Sequence, residues 1–283
     1  MNIPKDISAP KSEVTKGPSK KSTAGRYRVI IPQMIKRDIT ERYRGSVLGI
    51  LWSLITPLIL LSVYTFVFGT LFNARWENTL PGGSKLEFAM ILFAGLALFQ
   101  LFADVVTRAP TLILGHANYV KKVVFPLEVL VPVSLGSALF HAMISLVILL
   151  GLVFYLTNAI PMTVFLFPLV LIPFCIMLLG LGWFLAALGV YLRDMGQIIG
   201  TFATAMMFLA PIFYPPSMLP DWVIPYVMLN PIVVPVNAIR DVMIFDRMPD
   251  WTALGVYSCV SIVVAIVGYW FFQRTRKGFA DVL

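Results

Sequence analysis

Apolar residues gather in six long runs separated by short polar stretches: Val47–Phe72, Phe88–Val106, Val129–Leu156, Met162–Tyr191, Ile198–Tyr214 and Trp251–Phe272. A helix that crosses a bilayer needs about 20 apolar residues. The pattern therefore predicts an all-α membrane protein of six transmembrane helices. The third and fourth runs are long enough to tilt or to reach beyond the bilayer. Pro168 and Pro173 are placed to kink the fourth. The fifth is short, and the prolines after it blur its end.

Three segments fit neither a span nor a free loop. In Tyr27–Arg44, Ile31, Ile35, Ile39 and Tyr43 recur every four residues, with Lys36, Arg37, Asp38, Glu41 and Arg42 on the other face. This predicts an amphipathic helix, either lying in the inner-leaflet interface with cations toward headgroups or packed on a partner. Arg108–Pro126 is too polar to span and unusually apolar for a loop. It is either a connection or a short helix near Leu112–Tyr119 that shows His116 and Asn118 to a partner. Pro211–Asp250 holds eight prolines between apolar pieces too short to span. Backbone broken this often cannot face lipid tails, because each freed N–H and C=O needs a partner. Short re-entrant helices packed within protein are expected there, as a gate or as a rigid cap. The spacings Gly45–Gly49 and Gly182–Ala186 are compatible with close helix contacts.

Charge orients the chain. With the N-terminus inside, inner segments carry eighteen of the 22 Lys and Arg residues, and outer segments carry only Arg75, Lys85, Arg240 and Arg247. Without residues 1–46, which hold eleven, the bias is still seven to four. Both termini are thus expected in the cytoplasm. The chain is 59% hydrophobic and 13% charged, with a net charge of +8. That excess points to anionic headgroups rather than nucleic acid. Cys175 and Cys259 sit in apolar runs with no metal-ligand spacing, and no metal site is expected. The resulting division is a disordered cytoplasmic tail over 1–25, an interfacial helix over 26–46, a membrane domain over 47–274 and a cytoplasmic tail over 275–283. The membrane domain includes the segments 108–126 and 211–250 described above. No secretory signal is expected at the start.

The run RDITERYRGSVLGILWSLITPL at 37–58 closely resembles the lead into the first span of type-2 ABC export permeases of the polysaccharide branch. That branch carries O-antigen, capsule and teichoic-acid chains. KKVVFPLEVLVP at 121–132, YLRDMGQI at 191–198, APIFYPPSMLP at 210–220 and LNPIVVPVNAIRD at 229–241 resemble the same family in order and spacing. The resemblance implies a multi-pass protein of the bacterial inner membrane, working as a homodimer with two copies of a separate ABC ATPase. It places an ATPase-coupling helix within 108–126, with His116, Asn118 and Tyr119, and a smaller contact at Tyr191–Gln197, with Arg193 and Asp194. Residues 211–250 become the periplasmic gate. Consistent with a separate ATPase, no G-x-x-x-x-G-K-[ST] loop occurs, so ATP and Mg would sit on the partner. No cofactor is expected on this chain.

The expected cargo is a lipid-linked polysaccharide, with a drug or small lipid as the alternative. A polymer needs a continuous conduit, and aromatic rings suit the C–H faces of sugars. Tyr64, Phe68 and Phe72 fall four apart on the first span. Phe202, Met206, Leu209 and Phe213 form a stripe on the fifth, with Tyr214 beside it. These faces either line a channel at the dimer interface or serve packing and lipid contact. Arg37, Arg42 and Arg44 could meet a pyrophosphate or simply anionic lipid. His141, central in the third span, is expected to be neutral and bonded to a neighbouring helix, and Asp104 and Glu128 to lie near water. The fourteen carboxylates are scattered and assemble into no catalytic set, so the chain is expected not to be an enzyme.

Overall fold

The structure, a computed structural model, describes residues 20–71, 85–118, 125–215 and 218–282, with the side chains of 20–26, 69–71, 85 and 281 outside the description. Phe72, Arg75, Tyr119, Lys121 and Lys122 lie outside the described residues, as do residues 1–19. Among the described residues every regular element is helical. The helices are α1 (Lys20–Arg42), α2 (Trp52–Tyr64), α3 (Lys85–Leu112), α4 (Leu130–Thr157), α5 (Phe167–Tyr191), α6 (Met195–Leu209), α7 (Ile224–Met228), α8 (Val233–Met243), α9 (Trp251–Thr275) and α10 (Phe279–Val282).

Five of the six expected spans are long and apolar enough to cross a bilayer: Gly49–Phe68, Leu86–Leu112, Leu127–Thr157, Met162–Tyr191 and Trp251–Gly278. The remaining one is α6, with 15 residues. It is about 22 Å long at 1.5 Å per residue, short of a hydrocarbon core about 30 Å thick. Pro211 ends it, forcing Ala210 into an extended conformation at ψ 145°. The first span is not one uniform helix, since Thr65–Leu71 continues α2 as a wider π-helix. Pro168 does not kink the fourth span. It stands in the first turn of α5, where its missing N–H costs nothing, and only Pro173 is internal.

The core is built around α3. Some 78% of its apolar stretch is buried, against 11% for the first span. Ala89 to Leu92, Ala94 and Leu98 are fully enclosed, because α2, α4, α5, α6 and α8 all pack on this one helix. Among the described residues α5 and α9 pack together most extensively. A Cβ on Gly268 would collide with the Gly180 carbonyl, and one on Gly180 with the Val264–Ala265 backbone. Small residues here let two backbones touch where lipid supplies no hydrophobic drive. Gly182 faces Val131 of α4 and serves the same purpose. Gly45 and Gly49 do not. Both have positive φ and open space around them, and they form the turn between α1 and α2.

Both described terminal regions lie at one end of the bundle, the terminal end. There α1 begins at Lys20, seven residues before Tyr27, where its periodicity starts. Residues 276–282, expected as part of a tail, fold back so that Phe279 is fully buried against Phe272 and Tyr191. The opposite end carries α7 and α8, short helices as the prolines predict. Eight residues of α8 are buried, including Arg240.

Candidate functional site

At the terminal end, α1 lies along α4 and the last turns of α3. Ile31, Ile35, Ile39 and Tyr43 are its half-buried face, and Ile35 rests on Gly136 of α4. Asp38 and Arg42, assigned from the sequence to the outward polar face, instead turn toward α3. Arg108 donates to both Asp38 oxygens at 2.9 and 3.2 Å, and Arg42 pairs with Asp104 at 3.2 Å. Acidic and basic residues four apart on α1 thus meet basic and acidic residues four apart on α3, the two segments running in opposite directions. Gln100 also donates to Asp104 at 3.1 Å. Burial alone would raise the Asp38 carboxyl, but the Arg108 guanidinium outweighs it and holds the group below its ordinary value.

Two further bonds fix α1. Tyr43 Oη meets His141 Nδ1 at 3.2 Å, with the rings edge to face at 5.7 Å between centroids. Tyr27 donates to Glu128 at 3.0 Å, and Arg276 donates to the other Glu128 oxygen at 2.8 Å. Burial raises the Tyr27 and Tyr43 hydroxyls above their ordinary value, helped at Tyr27 by Glu128. Trp183 donates to the Glu128 carbonyl at 3.0 Å. Glu128 therefore joins α1, α5 and the C-terminal turn.

A cleft of about 340 Å³ opens between α1, α2, α3 and α4. Its polar end is made by Arg42, Tyr43, Gln100, Asp104 and His141. Trp52, Tyr64, Phe93 and Phe99 form its aromatic wall. Of the expected conduit residues, Tyr64 lines this cleft, and its ring lies 6.5 Å from Phe68. Phe68 is 6.0 Å from both Phe88 and Phe213, and Phe213 stacks at 5.7 Å on Phe208. Phe213 reaches this cluster from beyond the break at Pro211, not along a continuous helical stripe. Tyr214 donates to the Phe208 carbonyl at 3.1 Å. Phe202 stands apart, 52% exposed on α6.

The two expected docking surfaces also lie at the terminal end. Past Leu112 the chain turns through Leu114–His116, leaving Asn118 exposed and His116 half-buried with its Nδ1 2.8 Å from the Leu112 carbonyl. Arg193 and Asp194 are exposed in the α5–α6 turn beside exposed Leu192. Arg37 pairs with Glu41 at 2.7 Å, and Arg44 is exposed.

At the opposite end, Arg240 donates to three backbone carbonyls: Ile91 at 3.0 Å, Pro211 at 2.9 Å and Ile212 at 3.0 Å. Burial lowers its pKa to about 9, which leaves it charged at neutral pH. The Thr163 hydroxyl donates to the Val242 carbonyl at 2.8 Å, and its backbone N–H donates to Asp246 at 3.1 Å. Asn230 donates to Met206 at 3.0 Å, and Tyr257 to Pro231 at 2.9 Å. Side chains thus supply the partners that proline-broken backbone lacks. Sequence reasoning treated Arg240 only as an outer charge. A lone arginine inside an apolar, proline-rich segment was the available signal.

Five apolar helices long enough to span, a polar-ended cleft beside an anchored amphipathic helix and proline-broken helices at the far end, all among the described residues, define a multi-pass membrane protein. Residues 31–244 match the ABC-2 type transporter family, and the chain belongs to it. It is 28% identical over 257 residues to the O-antigen export system permease protein RfbA of Myxococcus xanthus, covering 90% of this chain and 95% of that one. It is 25% identical to an RfbA of Klebsiella pneumoniae, covering 87% and 92%, and 22% identical to the polysialic acid transport protein KpsM of Escherichia coli, covering 88% and 94%. The protein is a transport permease subunit of the inner membrane and not an enzyme.

Proposed function

We propose that this chain is the permease half of an ATP-driven exporter that moves lipid-linked polysaccharide outward through a channel between two copies of itself. The observation that carries this reading is correspondence along nearly the whole chain with permeases named for two different polysaccharides, O-antigen and polysialic acid. The geometry fits it. The first span is only 11% buried within one copy and leaves a broad apolar face for lipid or a second copy. Exposed Phe66 on that span and Phe202 on α6 would belong to such a wall, together with Tyr64, Phe68, Phe213 and Tyr214.

In this reading the terminal end faces the cytoplasm. Two copies of a separate ABC ATPase seat against residues 108–126 and the Arg193–Asp194 turn, and α7 and α8 form the periplasmic gate. Exposed Arg44, with Arg37, would greet the pyrophosphate of the lipid anchor. Deleting the gene should strip the polysaccharide from the cell surface and leave it accumulated inside. Tyr64→Ala with Phe68→Ala should reduce export several-fold while the ATPase still co-purifies. Surface polysaccharide unchanged by deletion, with altered drug tolerance in its place, would overturn the cargo.

A further inference from the structure

We propose that the cleft between α1, α2, α3 and α4 binds the sugar rings nearest the lipid anchor, recognising them as neutral hydroxylated rings rather than as an anion. The proposal rests on the cargo reading above and assigns a part of that cargo to a particular place. Its first support is charge. Among the described residues, the formally charged side chains lining the cleft are Arg42 and Asp104, and they pair with each other at 3.2 Å. A lone phosphate entering here would meet no net positive charge and would compete with Asp104 for Arg42.

Its second support is hydrogen-bonding capacity. Ser53 and Ser145 spend their protons on the Ile50 and His141 carbonyls and keep lone pairs to accept. The amide nitrogen of Gln100 donates to Asp104, and its oxygen accepts. A sugar hydroxyl both donates and accepts, so it can serve acceptors of this kind and the remaining donors of Arg42 together. A phosphate only accepts.

Shape is the third support. On α3 the lining runs from Phe93 to Asp104, about 16 Å at 1.5 Å per residue, so the cleft is elongated. Its volume of about 340 Å³ is at the small end of ligand sites, suited to one or two rings in file. Trp52 and Phe99 offer flat faces to the apolar C–H sides of such rings.

The neighbouring surface completes the arrangement. A shallow groove that shares Tyr43 with the cleft is lined by Lys36, Arg37, Arg44 and Glu41; Glu41 pairs with Arg37 at 2.7 Å, and Lys36 and Arg44 leave the groove net basic. A phosphate held in that basic groove would set the next group along the chain at the mouth of the neutral cleft. Charge and sugar would thus be read by adjacent but separate surfaces, and Arg42, a candidate for pyrophosphate by sequence, belongs to the sugar side.

The test uses the full-length chain with its ATPase in lipid nanodiscs, carrying Thr56→Cys in a Cys259→Ala background. Thr56 lines the cleft, and Cys259 is the exposed native thiol. The rate of bimane labelling at residue 56 is read with dodecyl maltoside or dodecyl phosphate, each below the concentration that dissolves the discs. A probe at ten times its Kd occupies the site enough to slow labelling about tenfold. The maltoside should do so and the phosphate should not, and adding Gln100→Leu or Trp52→Leu should abolish protection. Equal protection by both probes, protection by the phosphate alone, or none would overturn the proposal. The cargo reading fails separately. If deletion leaves surface polysaccharide intact while the maltoside still protects, the cleft is a sugar site and the cargo is wrong. If deletion abolishes the polysaccharide but the maltoside gives no protection, only the cleft proposal falls.

Discussion

The two ends of this bundle are held together by opposite kinds of bond. At the terminal end, α1 is tied by charged side chains to charged side chains, Asp38 to Arg108 and Arg42 to Asp104, all partly open to solvent. Such pairs contribute little each and reform readily. At the opposite end, a buried arginine and several neutral side chains bond to backbone carbonyls. Outside α3, whose Ile91 carbonyl keeps its helical donor, these acceptors have no substitute once water is excluded, so losing a partner costs the full desolvation of each group. The comparison teaches where adjustment is cheap. In the proposed reading the terminal end receives the force of an ATPase and carries exchangeable contacts, while backbone broken by proline needs fixed ones.

The comparison breaks most visibly at Arg240. Arg240→Leu strands the Pro211 and Ile212 carbonyls at about 1–3 kcal/mol each and removes the second bond of the Ile91 carbonyl, which stays paired within α3, together a large share of a protein's ordinary stability. The expected result is loss of the monodisperse peak in fluorescence-detected size exclusion. Arg240→Lys should recover little, because an ammonium lacks the planar fork that reaches all three acceptors. A folded, active Arg240→Leu protein would contradict the assignment of this end as rigid. Next in size is Gly95→Val, whose Cβ would stand 2.9 Å from Arg240 Nη2 and 3.1 Å from Ile212. Overpacking of this kind costs about 1–3 kcal/mol and should lower the melting temperature by several degrees in a thermal size-exclusion assay.

At the terminal end the effects should be smaller and reversible by charge. Asp38→Arg places two guanidiniums together and should speed amide exchange across α1 about five- to tenfold, consistent with a partly exposed pair worth about 1 kcal/mol. Asp38→Arg combined with Arg108→Asp should restore protection. If the double variant exchanges as fast as the single one, α1 is held by Ile35 on Gly136 and not by its charges.

Much of this architecture was legible because membrane physics leaves few options. Apolar length located five spans, and the four-residue recurrence of Ile31, Ile35, Ile39 and Tyr43 marked the buried face of α1 correctly. Prolines announced the short helices at 211–250. What stayed hidden depends on pairing across the fold. The charges of Asp38 and Arg42 read as solvent-facing until α3 is seen to end with Asp104 and Arg108 in the complementary order. The π-helical turn after Tyr64 and the early end of α6 shifted the aromatic stripes, since periodicity assumes an unbroken helix. The cleft could not be read at all, because its lining is gathered from five helices, from Arg42 on α1 to Met207 on α6.

The smallest expected effect concerns pH and separates two anchors of α1. The Asp38 carboxyl is held below its ordinary value, so its contribution is fully present above the unfolded value near 3.9 and fades only as pH falls through the lower folded one. Docking through the Asp38–Arg108 pair should therefore be flat from pH 8 to pH 5. An ordinary imidazole changes charge within that window, and His141 holds Tyr43 on the same helix. A nitroxide at Gln33→Cys, on the exposed face of α1, reports the difference through its mobility. Constant mobility down to about pH 5 is the result expected of the Asp38–Arg108 anchor, and the charge swap above separates that anchor from the Ile35 contact. Release between pH 7 and 5 would assign it to Tyr43 and His141, and His141→Gln, which keeps a hydrogen bond but cannot charge, should then remove that release.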